Sequence, residues 1–337
     1  MSGAALVLCT GGGIGDVLLA TPVMRALRER YGSVVALTAR AHTGVLAGNP
    51  DVAEVWSDDV PFAEQAACIA RSKFAASVTT WASLRSAALP YVGRVPVRVG
   101  QARRPYSRFF THRVVVRSET GDRATHWTQI LLDFARALGC DVAGATPYFA
   151  IAADARASLA TMLAAEGVAG PYVVLHPSRG ISAARARWPA APFIALARAL
   201  ACDGGVRVIV TGGEPDRALA QTIADASGAR SLGGRTTLAQ FGALAAGARA
   251  VVAMDSGPMH VAAAVGAPTV GIFALQSDEP DRWAPLGPFT TTVRATYACP
   301  PAHRKETCPD FACVGALDVA AVVAALQRVV ASSGSSA

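Results

Sequence analysis

Short apolar runs alternate with helical patterns along this chain, and that alternation constrains the fold more than any other feature. The first run, ALVLCT at 5–10, leads into a helical pattern at 16–32 that Gly32 ends. The order begins again at 171–180, PYVVLHPSRG, where a buried strand leads into a polar glycine loop. Because strands that alternate with helices build βαβ units, the sequence predicts an α/β fold with parallel sheets in two domains.

The two series of alternating elements place a domain boundary between them. We predict an N-terminal domain over residues 1–167 and a C-terminal domain over 168–330, since a chain of 337 residues suits two domains of ordinary size. A helix is predicted at 157–168, next to the boundary, and a final helix at 317–330. The polar residues 331–337 are expected to form a frayed, disordered tail.

Composition excludes several classes of protein. Hydrophobic residues make up 52% of the chain, yet no uncharged apolar run is long enough to span a bilayer. The N-terminus lacks a basic segment followed by an apolar stretch and a cleavage site. Seven scattered cysteines suit a reducing compartment better than a disulfide framework. We therefore expect a soluble, cytoplasmic protein.

Positive charge is concentrated in one arginine-rich stretch. The net charge is +7, and the lysines are only Lys73 and Lys305. Aromatic residues such as Tyr106 and Phe109 stand among the arginines of this stretch, which are Arg94, Arg98, Arg103, Arg104, Arg108, Arg113 and Arg117. Guanidinium groups suit phosphate or carboxylate, so we expect an acidic ligand. The aromatics do not recur at the intervals typical of single-strand binding, and we expect no nucleic acid.

A glycine loop follows the first strand, in TGGGIGDVLLATP at 10–22. It superficially matches a dinucleotide-binding loop, but Leu18 replaces the third glycine and Asp16 stands where a pyrophosphate would lie. A carboxylate there repels phosphate. Two interpretations remain: Asp16 is a functional group that accepts a proton from a closely approaching substrate, or it caps a helix.

A second polar turn, DSGPMHVAAA at 255–264, follows a strand predicted at 248–254. Pro258 is tolerated in the first turn of a helix, and Gly257 lets a ligand approach the backbone. The free N–H groups of that turn favour a bound anion at the carboxyl end of the strand. The alternative is an ordinary helix start that Asp255 or Ser256 caps.

Four segments together carry a family resemblance: GGIGDVLLATPVMRALRERYG, HPSRGISAARARWP, TGGEPDR and MDSGPMHVAAAVGAPTVGIF. In this order they resemble glycosyltransferase family nine, the ADP-heptose-dependent heptosyltransferases of lipopolysaccharide core assembly. The resemblance implies a GT-B architecture, in which two Rossmann-like domains face each other across a cleft. The first domain then binds mainly the acceptor and the second the nucleotide sugar.

The resemblance also implies residue roles. Asp16 is then the base that deprotonates an acceptor hydroxyl, which attacks the anomeric carbon with inversion. Asp255 contacts the donor heptose, while the N–H groups of Ser256, Gly257 and Met259 hold the pyrophosphate. The remaining donor residues are Ser178 and Arg179 at the phosphates, Asp216 at the ribose, and Thr236 and Thr237 at adenine. At the acceptor we expect Gly13, Gly15, Arg103, Arg104 and Arg108.

The sequence departs from the family pattern at one donor position. The family usually has lysine two residues before a Trp-Pro pair, and Ala186 occupies that place here, ahead of Trp188. Arg185 or Arg187 is expected to supply the missing cation, since guanidinium also binds phosphate.

Three cysteines, Cys299, Cys308 and Cys313, cluster near the C-terminus with His303 among them. Their spacing is not that of a zinc ribbon or finger, and three thiolates lack an obvious fourth ligand, although a structural metal is an alternative. In one protein-modifying branch of the family such a cluster is thought to hold iron. We expect reduced cysteines without a bound metal.

These observations predict an inverting heptosyltransferase that uses ADP-heptose as donor substrate and has no tightly bound cofactor. The predicted acceptor is anionic, foremost the lipopolysaccharide inner core, and is met by peripheral contact with the inner membrane. Two alternatives keep the chemistry but change the acceptor to an autotransporter protein or a small natural product. An alternative of another class is a non-catalytic nucleotide-sugar-binding subunit, against which the presence of both Asp16 and Asp255 argues.

Overall fold

The computed structural model describes residues 3–178, 189–202, 205–275, 277–300 and 308–334. Contacts between Cα atoms divide the chain into two compact units, Met1–Ala150 and Ile151–Ala337. Each unit contains a six-stranded sheet in which all paired strands are parallel. The predicted α/β class with parallel sheets is therefore confirmed.

The sheet of the first unit has the strand order β3-β2-β1-β4-β5-β6. Its strands are β1 Ala5–Cys9, β2 Val34–Thr38, β3 Glu54–Ser57, β4 Ala76–Thr79, β5 Val97–Gln101 and β6 His112–Val114. Its α-helices are α1 Ile14–Leu19, α2 Thr21–Tyr31, α3 Phe62–Ser72, α4 Leu84–Val92 and α5 Trp127–Arg136. Short 3-10 helices lie at Arg40–Val45, Pro105–Phe109 and Arg117–Thr120. Every residue of β1 and β2 is buried, as expected of parallel strands covered on both faces.

The first predicted helix is in fact two helices, so the single helix predicted at 16–32 is wrong. α1 ends at Leu19, and α2 begins at Thr21 with Pro22 in its first turn. Proline lacks an N–H group and its ring clashes with the carbonyl four residues earlier, which interrupts a continuous helix. That carbonyl, of Leu18, accepts a hydrogen bond of 2.7 Å from the Thr21 hydroxyl instead. The predicted stop is confirmed, because α2 is capped by Gly32 at φ +81°.

The sheet of the second unit has the order β12-β11-β10-β7-β8-β9. Its strands are β7 Tyr172–His176, β8 Arg207–Val210, β9 Arg230–Ser231, β10 Ala250–Met254, β11 Thr269–Phe273 and β12 Thr290–Arg294. Its helices are α6 Ala153–Ala165, α7 Ala191–Ala201, α8 Arg217–Ser227, α9 Leu238–Ala246, α10 Gly257–Ala264, α11 Pro280–Trp283, α12 Ala312–Gly315 and α13 Val319–Gly334, with a 3-10 helix at Glu214–Asp216. β7, β10 and β11 are buried throughout.

The contact boundary after Ala150 precedes the boundary predicted after residue 167, because α6 packs with the second unit. Its Ser158 hydroxyl accepts a hydrogen bond of 3.1 Å from the Gln240 side chain. Just beyond α6, Glu166 forms an ion pair of 2.6 Å with Arg235. Residues 151–167 are thus joined by contacts to the elements that follow them.

The C-terminal helix is longer than predicted. α13 continues through Gly334, so the expectation of a frayed tail from residue 331 is wrong for 331–334. The Ser332 and Ser333 hydroxyls donate to the carbonyls of Arg328 and Val330, which lets polar residues continue the helix. Residues 335–337 lie outside the described part. Among the helices that are described, none is long and apolar enough to cross a membrane.

Candidate functional site

Asp16 lies in the first turn of α1, directly after the glycine loop that follows β1. Oδ2 of Asp16 accepts a hydrogen bond of 2.8 Å from the N–H of Gly13, the N-cap residue of the helix. The proposed structural role is therefore confirmed, because the carboxylate caps the helix start, where the helix dipole also favours negative charge. Asp16 is only half-buried. Whether it also accepts a proton from a substrate stays a prediction.

The glycine loop is shaped by the carboxylate it holds. Gly12 has φ +77°, and a Cβ atom there would lie 2.3 Å from Oδ2 of Asp16. Both the backbone conformation and the close approach therefore require glycine at this position. The loop also contacts the aromatic ring of Trp81. A Cβ atom at Gly11 would lie 1.8 Å from Trp81 Cδ1, so this position has no room for a side chain.

Trp81 is a site residue that sequence reasoning missed. It follows β4, which is the neighbour of β1 in the sheet, so both strand ends meet at one edge. Its indole is 42% exposed and packs edge-to-face on Trp127, with ring centroids 5.9 Å apart. The available signal was a tryptophan at the carboxyl end of a predicted strand, but the sequence does not say which strands are neighbours.

The arginine-rich stretch is tied to this edge of the sheet. The Tyr106 hydroxyl donates a hydrogen bond of 2.8 Å to the carbonyl of Ala82, one residue after Trp81. Of the three arginines expected at the acceptor, all are exposed, and Arg104 forms an ion pair of 2.5 Å with Glu119. Arg108 stacks over Phe109, with its guanidinium carbon 5.1 Å from the ring centroid. Gly13 is the N-cap residue of α1, and Gly15 lies next to Asp16 in the first turn.

One arginine of the stretch has a structural partner instead. Arg117 donates two hydrogen bonds, of 2.6 and 2.7 Å, to the carboxylate of Asp133 on α5. The hydrogen bond to Asp133 is the main reason that the pKa of Arg117 is raised, and the negative charge of Asp133 adds to the shift. Arg117 therefore anchors its segment to α5.

In the second unit, the polar turn at 255–264 begins α10. Ser256 occupies the N-cap position, but its side chain makes no cap bond and its hydroxyl donates to the carbonyl of Met254 at 2.9 Å. The interpretation of Ser256 as an ordinary side-chain cap is therefore wrong. The N–H of Met259 donates to the carbonyl of Ser256 at 3.1 Å. Of the three backbone N–H groups expected to bind pyrophosphate, this one therefore already has a partner within the turn.

Asp255 directly follows the last residue of β10. Its N–H donates to the carbonyl of Ile272 on β11 at 3.0 Å, which fixes the residue at the carboxyl end of the central strands. Ser178 follows β7 and is buried. Since β10 neighbours β7, these two residues lie at the same edge of the second sheet.

A buried histidine, His176, supports the loop that carries Ser178 and was missed by sequence reasoning. Nδ1 of His176 lies 3.0 Å from the hydroxyl of Thr211, at the end of the neighbouring strand β8. Burial lowers the pKa of His176 to about 4, while the charge of Asp216 opposes that shift. The imidazole is therefore neutral at pH 7 and joins the ends of β7 and β8. The sequence signal for this role is the pair His176–Pro177 at the end of the predicted strand.

Asp216 and the two threonines also have local partners. The N–H of Gly213 donates to Oδ2 of the buried Asp216 at 3.3 Å, so this carboxylate stabilises the TGG loop. Thr237 begins α9 with a reciprocal capping pair, in which its hydroxyl accepts from the Gln240 N–H at 3.2 Å. Thr236 precedes it and is half-buried. Contacts of these residues with a nucleotide stay predictions.

Several predicted residues lie outside the described part of the chain: Arg179, Arg185, Ala186, Arg187 and Trp188. The same holds for His303. Cys308 and Cys313 are buried and Cys299 is half-buried. Burial, with smaller contributions from Cys299 and Cys308, raises the pKa of Cys313 to about 12, so its thiol is protonated at neutral pH. Within the described ranges no group of three His, Cys, Asp or Glu residues is arranged to hold a metal ion.

Comparison with known sequences finds a family model and a curated relative. Residues 69–310 match the model described as glycosyltransferase family 9 (heptosyltransferase). Lipopolysaccharide heptosyltransferase 2 of Escherichia coli K12 is 35% identical over 114 residues, which cover 32% of this chain and 32% of that protein. The chain thus matches about a third of the length of this curated relative.

Solved structures share the fold over the full length. The glycosyltransferase family 9 protein of Veillonella parvula has a TM-score of 0.83 and 17% identity, covering 98% of each chain. Escherichia coli heptosyltransferase WaaC, solved with ADP-2-deoxy-2-fluoro heptose, has a TM-score of 0.68 and 21% identity, covering 96% of this chain and 99% of that chain.

At these identities the structural likeness shows the fold alone. It confirms the predicted GT-B class, with two Rossmann-like domains in one chain. The family model covers well over half of the chain. The chain therefore belongs to glycosyltransferase family 9, the heptosyltransferase family.

Proposed function

We propose that this chain is an inverting heptosyltransferase that moves a heptose from ADP-heptose to a hydroxyl of an anionic acceptor, foremost the lipopolysaccharide inner core. One observation carries the proposal: in each sheet, a central strand leads into a helix start that bears an aspartate. In the first unit a glycine loop holds the carboxylate of Asp16. In the second, Asp255 precedes the start of α10, where the side chain of the N-cap residue Ser256 makes no cap bond. The names of the matched relatives, which include a lipopolysaccharide heptosyltransferase, support this choice of substrates.

The donor half of the proposal rests on the start of α10. Backbone N–H groups of Ser256 and Gly257, with the positive end of the helix dipole, suit a diphosphate. The N–H of Met259 would join them by sharing its bond to the Ser256 carbonyl. Asp255 then contacts the heptose. That WaaC was solved with an ADP-heptose analogue supports this donor class.

The other donor residues keep the roles that the family resemblance implies. Ser178, on the loop that His176 joins to β8, contacts the phosphates. Asp216 lies at the ribose, and Thr236 and Thr237 lie at adenine. Arg179, Arg185 and Arg187 are expected to add positive charge at the diphosphate.

In the proposed reaction, Asp16 acts as general base. A lone pair of its carboxylate takes the proton of an acceptor hydroxyl while that oxygen forms a bond to the anomeric carbon of the heptose. The bond from that carbon to the diphosphate oxygen breaks, and ADP leaves with the electron pair. Attack opposite the leaving group inverts the anomeric configuration. The bond from the Gly13 N–H holds the carboxylate in one orientation during this step.

The acceptor half of the proposal rests on Trp81 and the arginine-rich stretch. The exposed indole offers an apolar face to a sugar ring beside Asp16, and Arg103, Arg104 and Arg108 suit acidic groups of the acceptor. Guanidinium groups bind an acceptor with acidic groups better than an uncharged one. The acid-poor arginine segment therefore favours an anionic saccharide, reached by peripheral contact at the inner membrane.

Calorimetry tests the donor half without any assumption about the acceptor. ADP-heptose, UDP-glucose and GDP-mannose are titrated separately into the purified protein. We expect ADP-heptose to bind at least about tenfold more tightly than the other two, a difference of about 1.4 kcal/mol. Tighter binding of another nucleotide sugar would replace the donor. Binding of ADP-heptose without turnover on any acceptor class would favour the non-catalytic subunit.

A further inference from the structure

A long part of the first unit contains no acidic residue. Between Glu64 and Glu119 the sequence has no aspartate or glutamate. The basic residues in that interval are Arg71, Lys73, Arg85, Arg94, Arg98, Arg103, Arg104, Arg108, Arg113 and Arg117. In the whole chain, by contrast, 31 basic residues are balanced by 24 acidic ones, so the excess of positive charge is local.

The helix in the middle of this interval, α4, turns apolar side chains to solvent. Leu84 is 60% exposed, Tyr91 52% and Val92 49%. With the half-buried Ala88, these residues are spaced so that they lie along one side of the helix. A surface helix of a soluble domain ordinarily places polar residues there. We call this side of the helix, with Leu84, Tyr91 and Val92, the α4 face.

Cationic and aromatic groups border the α4 face. The ring of Tyr91 packs against Phe109 of the adjacent 3-10 helix, with centroids 5.2 Å apart. The guanidinium carbon of Arg98 lies 5.4 Å from the centroid of Tyr91, and that of Arg108 lies 5.1 Å from the centroid of Phe109. The exposed apolar side chains and the arginines therefore form one continuous surface.

Much of the positive charge on this surface is not neutralised. Arg94, Arg103 and Arg108 are exposed, and none of them forms an ion pair with a residue that the structure describes. Arg94 and Arg103 have φ values of +56° and +61°, a left-handed conformation that ordinarily favours glycine. Arginine stands at both turns although glycine would adopt them with less strain.

We propose that the α4 face docks on the surface of an anionic lipid bilayer. Leu84, Tyr91 and Val92 would enter the headgroup region, while the bordering arginines contact lipid phosphates. A second copy of the chain fits poorly, because a twofold contact through this face would bring arginines against arginines. This surface would be the one through which the enzyme reaches a lipid-linked acceptor. That consequence rests on the proposed function, whereas the binding to lipid does not.

The test measures binding of the full chain to vesicles by co-sedimentation. Vesicles of phosphatidylethanolamine with phosphatidylglycerol are compared with vesicles of phosphatidylcholine. We expect binding to the anionic vesicles, weaker at high salt, and binding at least about tenfold weaker to phosphatidylcholine. Leu84→Ser with Val92→Ser should weaken binding to anionic vesicles about tenfold, and Arg94→Gln about fivefold.

Matched controls separate this surface from general effects. Tyr148→Ser with Tyr297→Ser removes exposed apolar side chains elsewhere, and Arg230→Gln removes an exposed arginine elsewhere. Both controls should bind within about twofold of the wild type. Equal losses in the α4-face and control variants, equal binding to both kinds of vesicle, or a dimer that Leu84→Ser with Val92→Ser dissociates would each overturn the proposal.

The outcome is independent of the transfer reaction. The vesicle assay contains no nucleotide sugar, so failure to bind vesicles leaves the proposed chemistry untouched. Conversely, we expect Leu84→Ser with Val92→Ser to keep wild-type transfer to a water-soluble, delipidated acceptor while losing activity on the same acceptor embedded in anionic vesicles. Equal activity on both forms of the acceptor would contradict the docking role.

Discussion

The N–H of Gly13 and Oδ2 of Asp16 are joined by a hydrogen bond of 2.8 Å, so the group proposed as the base is also the cap of its own helix. The cap orients the carboxylate, and the loop glycines make room for it. One residue earlier, Gly12 leaves no space for a side chain, because a Cβ would lie 2.3 Å from that same oxygen.

Gly12→Ala should therefore remove activity by moving Asp16. We expect about 1–2 kcal/mol of lost stability from the left-handed backbone and, in addition, at least about a hundredfold lower turnover. Gly144→Ala is the control, since Gly144 has φ +66° and nothing within 4 Å of its Cβ position. It should lose only the stability that the left-handed backbone accounts for and keep full turnover. Equal activity of the two variants, measured as ADP release, would show that the loop does not position the base.

Trp81→Ala should weaken acceptor binding without unfolding the protein. The residue is 42% exposed and its packing contact is with Trp127 at the sheet edge, so the core stays intact while the apolar face beside Asp16 disappears. We expect the KM for the acceptor to rise about tenfold, with the Kd for donor unchanged, and Trp81→Phe to restore most of the loss. An unchanged acceptor KM in Trp81→Ala would remove this residue from the acceptor site.

His176 should make the protein less stable as the pH falls from 7 to 4. Its pKa is about 4 in the folded chain, below the ordinary histidine value of about 6.5, so at intermediate pH the unfolded chain binds the proton more tightly. Stability is therefore complete above pH 6.5 and is lost as the pH falls towards 4, by at most about 3 kcal/mol.

Urea unfolding at pH 7 and pH 5 measures this effect. His176→Gln should lower the midpoint at pH 7 and reduce its dependence on pH. His112→Gln, at an exposed histidine, should leave both unchanged. A wild-type midpoint that is the same at both pH values would contradict a neutral, buried His176.

Central strands could be predicted from the sequence because they are continuous apolar runs, buried on both faces, as β1 and β10 are. The strands β6 and β12 were missed because they lie at sheet edges and keep partly exposed, polar residues. The helix α4 was missed because its outward side is apolar and Pro90 lies inside it.

For the candidate site, polar residues directly after a clear strand could be found, as Asp16 and Asp255 were. Trp81 and His176 could not be placed, because their importance depends on which strands are neighbours. β4 lies beside β1 and β8 beside β7, and these pairings arise from packing of the whole sheet rather than from local sequence. The cap role of Ser256 was wrong because its hydroxyl bonds backward to Met254.

The most direct test of the proposed chemistry is transfer of heptose from ADP-heptose to a lipopolysaccharide inner-core acceptor by Asp16→Asn, followed by mass spectrometry of the acceptor. The asparagine side chain keeps an oxygen that can accept the bond from the Gly13 N–H, so the helix start should persist. Asp318→Asn, at the start of α13, is the matched control because Asp318 likewise accepts a backbone N–H bond, of 3.0 Å, from Ala321. We expect wild type and Asp318→Asn to add heptose and Asp16→Asn to lose about a hundredfold to ten-thousandfold in rate while binding ADP-heptose as tightly as the wild type. Wild-type turnover by Asp16→Asn would contradict the account.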